Sequence, residues 1–198
     1  MKEECIICKA PLEYLIEDTE MECAICHKKE LSKTRCVNGH YVCNTCHMHG
    51  PEHHIMVGSA LLTAYKNAGG DISLDKALTE MRNRGKSVPG GACGFWGACG
   101  AGISSGMFVS IISGSTPLAK DEFGLAHHMT ARALDAIGNI GGPRCCKRDS
   151  YISILQAIDF VKEHFGIEME KSQVVCGYSS KNNQCIGNRC PFSKSRRV

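Results

Sequence analysis

No run of about 18 apolar residues occurs in the chain, so nothing in it reads as a helix able to cross a bilayer. The start, Met1-Lys2-Glu3-Glu4-Cys5, lacks the charged head and apolar stretch of a secretory signal, and a cytoplasmic protein is expected. Charge of one sign is also scarce. A net +3 is too small to imply a nucleic-acid partner, and Lys194-Ser195-Arg196-Arg197 makes a short basic tail of the kind usually left solvated. Strands alternating with helices are missing, which counts against a parallel-sheet nucleotide-binding fold. The glycine-dense segment 88–106 has no strand before it and no Lys-Ser/Thr pair after it, so it supports neither a dinucleotide fingerprint nor a P-loop.

Cysteine, by contrast, is abundant, with 14 in 198 residues. In a reducing compartment that number argues for metal ligation or thiol chemistry and against a disulfide framework. Seven lie between Cys5 and Cys46, seven between Cys93 and Cys190, and none between the two sets. The gap and the chain length suggest two units: a cysteine module over 1–48 and a larger metal-cluster domain over 49–198.

In the module, Cys5-x2-Cys8 and Cys23-x2-Cys26 are knuckles, each letting two thiolates reach one tetrahedral ion from a tight turn. Cys36, His40, Cys43 and Cys46 follow at a C-x3-H-x2-C-x2-C spacing that resembles RING-type zinc modules. Seven thiols and one imidazole suit two four-ligand zinc sites. Sequential pairing sets Cys5, Cys8, Cys23 and Cys26 apart from Cys36, His40, Cys43 and Cys46; a cross-brace interleaves them, and spacing alone leaves both open. The module reads as a staple for a segment too small to have its own core, or as a docking unit for a protein partner.

The larger unit reads as mainly α-helical. Val57, Leu61, Leu62 and Tyr65 recur at helical spacing over 56–68, before Gly69-Gly70. Ser73 is placed to cap a helix over 74–84, Ser115-Thr116-Pro117 has the form of another helix start, and helical pattern returns over 120–137 and 150–165.

Four segments of this unit carry chemistry. His47, His49, Glu52, His53 and His54 lie within eight residues ahead of a helix, and Glu52, His53 and His54 are candidate acid–base or substrate-orienting groups. Cys93 and Cys99 bracket Phe95 and Trp96 in the glycine loop, where backbone approaches a bulky group closely and the two rings would shield a cluster. At Arg144-Cys145-Cys146-Lys147-Arg148, adjacent thiols point in different directions. The three cations there would lower a neighbouring thiol's pKa and attract an anionic substrate, making Cys146 and Arg144 catalytic candidates. Last, Cys176-x8-Cys185-x4-Cys190-Pro191 offers three ligands and a Cys-Pro close like that of ferredoxins, with a further zinc knuckle as the alternative.

The stretches His49-Gly50-Pro51-Glu52-His53-His54, Cys93-Gly94-Phe95-Trp96-Gly97-Ala98-Cys99 and Gly142-Pro143-Arg144-Cys145-Cys146-Lys147-Arg148-Asp149-Ser150 resemble a cysteine-rich family of anaerobic prokaryotes, chiefly methanogens, with no established function. Its members often carry the label SAM-dependent methyltransferase, although no CxxxCxxC of radical SAM enzymes occurs here. The order of segments over roughly 50–165 is more distantly similar to iron–sulfur serine dehydratases and cysteine desulfidases. That resemblance implies a cubane whose open iron polarises a substrate, with Cys93 or Cys99 and Cys145 or Cys146 as matching ligands. The expectation is an iron–sulfur protein, [4Fe-4S] in type, with zinc in its first module, acting in sulfur transfer or lyase-type removal of sulfide from a small, anionic thiol. A non-catalytic metal or cluster carrier is the rival, and a methyltransferase the third alternative.

Overall fold

The computed structural model describes residues 4–5, 7–24, 27–43 and 52–194. It begins with an antiparallel ribbon of β1 (Leu12–Glu22) and β2 (Lys29–Cys36), in which Leu12 faces Cys36 at the open end and Glu22 faces Lys29 at the turn end. The pairing is irregular between Tyr14 and Thr19. Most of the ribbon's side chains are exposed; Met21 packs with Cys23, Tyr41 and Cys43 in a small buried cluster at its turn end, and Cys36 is buried at the open end. A two-stranded ribbon is marginal in water unless something else holds it. Here cysteines occupy both ends: Cys36 at one, Cys23 at the other.

Six helices follow among the described residues: α1 (Glu52–Asn67), α2 (Leu74–Gly85), the single turn α3 (Ala92–Phe95), α4 (Gly100–Ser113), α5 (Asp121–Ile140) and α6 (Cys146–Phe165). The mainly α architecture with a small amino-terminal metal-binding module matches the expected class. None of these helices is long and apolar enough to cross a membrane. Apolar on every side, α4 takes the central place and packs against α1, α2, α5 and α6. Its Phe108 and Val109 are fully enclosed by Leu61 and Leu62 of α1, Met81 of α2, Met129 of α5 and Phe160 and Val161 of α6. Burying each such large side chain contributes about 1.5–3 kcal/mol.

Two helix boundaries differ from expectation. Ser115-Thr116-Pro117 does not open a helix: Thr116 Oγ1 accepts the Leu118 amide in a turn, and α5 starts only at Asp121. Ser73 stands at the start of α2 but makes no side-chain capping bond.

The tail folds back onto α6. Phe192 meets Tyr151 edge-on with ring centroids 5.3 Å apart, and the Cys176 amide donates to the Phe192 carbonyl at 2.8 Å. Cys190, Phe192 and Ile152 form a second small core, against which Ile137, Ile140, Val174, Cys176 and Ile186 pack. This docking carries Cys176, Cys185 and Cys190 to the start of α6, beside Cys145.

Close helix approach rests on small residues. A Cβ at Gly106 of α4 would fall on Thr130 Oγ1 and stand 3.1 Å from the Ala126 carbonyl of α5, whereas one at Gly138 would meet nothing within 4 Å. Gly106→Ala is therefore expected to destabilise by about 1–3 kcal/mol through overpacking. Gly138→Ala, inside a helix with open space, should stabilise by about 0.4–1 kcal/mol. Chemical unfolding of the two variants checks both signs.

Candidate metal centres

The first centre is at the open end of the ribbon. Ligand atoms of Cys5, Cys8, Cys36 and His40 all lie within 4.8 Å of one another. Cys8 Sγ is 3.8 Å from Cys36 Sγ, and His40 Nδ1 is 3.3 Å from Cys8 Sγ and 3.4 Å from Cys36 Sγ. Such edges are those of a coordination tetrahedron, so the four residues can hold a metal ion. Backbone amides face the sulfurs, with Ile7 N–H donating to Cys5 Sγ at 3.4 Å and His40 N–H to Cys36 Sγ at 3.3 Å. The Ala10 amide, helped by His40 and Asn38, holds exposed Cys8 down at about 6, while burial pushes Cys5 up.

This set joins the first knuckle to the Cys36–His40 pair, so its pairing is interleaved, not sequential. At the ribbon's other end Cys23 and Cys43 are fully buried together, and the Cys43 amide donates to Cys23 Sγ at 3.4 Å. Cys26 and Cys46, the remaining candidates, lie outside the described residues.

A second set surrounds a cavity of about 110 Å³ between the start of α6 and the tail, lined by Cys145, Cys176, Cys185, Cys190 and His53. Three of its sulfurs accept N–H bonds: Cys176 from the Tyr178 amide at 3.4 Å, Cys185 from the Gly187 amide at 3.4 Å, and Cys145 from Asn182 Nδ2 at 3.6 Å. The bonds to Cys176 and Cys185 come from the residue two places on, the same local turn as Cys5 and Ile7 in the first centre. Burial raises Cys145, opposed by the Arg148 amide and the Arg148 charge.

Arg148 has fixed protein partners. It is buried, pairs with Asp149 at 3.1 Å and donates from Nη2 to the Gly141 and Pro143 carbonyls at 3.0 Å each, fixing the loop that presents Cys145. Lys147 lies 4.0 Å above the Tyr178 ring and ties the tail turn to α6. Sequence reasoning missed Asp149, Asn182 and Tyr178. Only Asp149 carried a visible signal, an acidic residue in a helix's first turn.

Cys93, Cys99 and Cys146 do not line that cavity. Cys99 stands at the N-cap position of α4 without a side-chain capping bond, and its Sγ is 3.8 Å from Asp149 Oδ2. Cys93 stands close enough for its charge to raise both Cys99 and Cys146. The expected lowering of Cys146 is not found. Burial outweighs Arg144, and Cys146, like Cys99, is pushed up to about 12. Nor do Phe95 and Trp96 shield anything, being 64% and 66% exposed. The histidine segment divides as well: His53 reaches the cavity, while His54 Nδ1 lies 3.2 Å from the Val88 carbonyl, with its ring against Gly100. Burial holds His54 below its ordinary range. Glu52 is exposed at the start of α1, and His47 and His49 lie outside the described residues.

A family model described as a family of unknown function, DUF5714, matches residues 17–193, and the chain belongs to that family. No curated protein and no solved structure matches it.

The low Cys8 value gives a test on metal-stripped chain. At pH 7 Cys8 should be largely thiolate and the first cysteine alkylated by iodoacetamide, with labelling half-maximal near pH 6. Peptide mass spectrometry over pH 5–8 reads this directly, and uniform labelling of all exposed cysteines would contradict it.

Proposed function

We propose that this protein is an iron–sulfur protein with a zinc-stapled amino-terminal module, acting in sulfur transfer on small anionic thiols. The observation that supports it most is the gathering of Cys145, Cys176, Cys185 and Cys190 around one cavity. A volume of about 110 Å³ is several times one water's share of liquid, roughly 30 Å³, and suits a group larger than a single ion.

For the first centre, zinc is the reading its edges favour. A Zn–S bond of about 2.3 Å implies sulfurs about 3.8 Å apart in a tetrahedron, and Cys8 and Cys36 stand 3.8 Å apart. Cys23 and Cys43, with Cys26 and Cys46, supply ligands for a second zinc in the same interleaved order.

Four thiolates around the cavity leave no iron of a cubane open, which favours a cluster that carries electrons there over one that binds substrate itself. Lys147 and Lys181 in the same wall give it a cationic rim suited to a small anion. Sulfur chemistry then belongs to thiols outside the cavity.

Anaerobically prepared full-length protein should contain iron and acid-labile sulfide besides zinc. Cys176→Ser and Cys185→Ser should each lose about four irons while retaining the zinc. A wild-type chain that binds zinc alone under these conditions would refute the proposal.

A further inference from the structure

The cavity lies on a seam between the helical bundle and the tail, and its thiols are divided unequally across that seam. Cys145, at the N-cap position of α6, comes from the bundle; Cys176, Cys185 and Cys190 come from the tail. Any group held by thiols of both sides therefore bridges the two.

The tail has modest means of its own to stay in place. Among the described residues after Gly166, its regular structure amounts to two single-turn segments, Ser179–Lys181 and Gly187–Arg189. Every residue from Lys171 to Arg189 is exposed or half-buried. Backbone hydrogen bonds close on the tail itself, from Cys176 to Phe192, from Cys185 to Asn182 and from Cys190 to Gly187. Attachment to the bundle comes from side chains. Phe192 and Cys190 pack with Tyr151 and Ile152, Lys147 lies over the Tyr178 ring, Lys171 pairs with Asp159 at 2.8 Å, and Asn182 Nδ2 donates to Cys145 Sγ at 3.6 Å. The ion pair and the cation–π contact are at exposed sites, where such contacts contribute little. Ordering the tail costs conformational entropy at every residue, and burial of Phe192 and Cys190 offsets only part of that.

We infer that the tail is a metal-dependent strap: filling the cavity pins it to the start of α6, and emptying the cavity releases it. A metal group bound through Cys145 and the tail thiols turns its binding free energy into docking free energy, as a structural metal does for a domain too small to fold alone. Release uncovers an apolar strip made by Ile137 and Ile140 of α5 and Ile152 and Leu155 of α6, which share one apolar cluster with Cys190 and Phe192. The strap thereby displays the state of the cavity on the protein's surface. Iron as the occupant rests on the function proposed above; the bridging through Cys145 does not.

The test uses the full chain, reconstituted anaerobically with iron and sulfide, before and after the iron is removed with bipyridyl. Metal content is counted in each sample. Trypsin cleavage after Lys181 and Arg189 is timed by mass spectrometry, with cleavage after Arg132 in α5 as the internal reference. Cleavage follows the population of the open form, so both tail sites should be cut about tenfold or more faster once iron is gone, while Arg132 should not change. Fluorescence of anilinonaphthalene sulfonate should rise with release, as the apolar strip becomes accessible. Cys145→Ser, reconstituted in the same way, should be cut in its tail at the stripped rate. Equal tail cleavage before and after iron is removed would overturn the inference and leave the cavity cluster standing. So would cleavage of Cys145→Ser at the loaded wild-type rate. Equal acceleration at Arg132 would mean that the whole bundle opens, and would overturn the inference as well. A chain whose cavity takes zinc and no iron, and whose tail is released by a zinc chelator, would refute the iron–sulfur reading and leave the strap standing. A chain that takes no metal beyond its amino-terminal module would overturn both.

Discussion

Thiolates gathered in a small volume repel one another, and in a poorly hydrated site that repulsion must be met by fixed positive partners. The rest of this structure depends on how that is done. Backbone amides do it repeatedly: Ile7 at Cys5, His40 at Cys36, Cys43 at Cys23, Tyr178 at Cys176 and Gly187 at Cys185. At Cys99 and Cys145, which stand at the starts of α4 and α6, nearby backbone amides oppose the rise that burial causes without overcoming it. Where burial dominates, the thiol stays protonated: Cys99 and Cys146 are pushed up to about 12, whereas exposed Cys8, reached by amides and His40, goes down to about 6.

The helical core sets the distances between these groups. Because α4 is enclosed by α1, α2, α5 and α6, the starts of α1, α4 and α6 meet near one end of the bundle. Glycines permit this closeness, most directly Gly100, whose missing side chain admits the His54 ring. Arg148 is the positioning residue of the arrangement. Through Gly141, Pro143 and Asp149 it binds the preceding loop to α6, and so fixes Cys145 toward the tail. The tail completes the cavity by docking Phe192 and Cys190 on Tyr151 and Ile152.

Much of the fold was legible because its signals are local. The periods of α1, α2, α5 and α6 and the glycine after α6 can be read from residue spacing, and Gly166 indeed takes a left-handed φ of 67°. The ribbon was less visible, since β1 and β2 are rich in charged residues and lack a buried face. In the module the ligands were legible but their partnership was not: knuckle spacing identifies pairs, while only the three-dimensional path joins Cys5 and Cys8 to Cys36 and His40. The same limit applied downstream. The sequence shows that Cys145 and Cys146 diverge, but it takes the docked tail to give Cys145 to Cys176, Cys185 and Cys190. Burial explains the clearest error, the expectation that Arg144, Lys147 and Arg148 would lower Cys146. Arg148 is committed to Asp149 and two carbonyls, Lys147 lies over Tyr178, and desolvation prevails over Arg144.

In the function proposed above, thiols of one chain are divided between a zinc-stapled ribbon and an iron–sulfur cavity. Anomalous diffraction from anaerobically grown crystals, collected on either side of the zinc and iron absorption edges, tests it most directly. A zinc peak is expected among Cys5, Cys8, Cys36 and His40 and an iron peak within the cavity of Cys145, Cys176, Cys185 and Cys190. Zinc peaks at both places, with no iron signal anywhere in the helical domain, would contradict it.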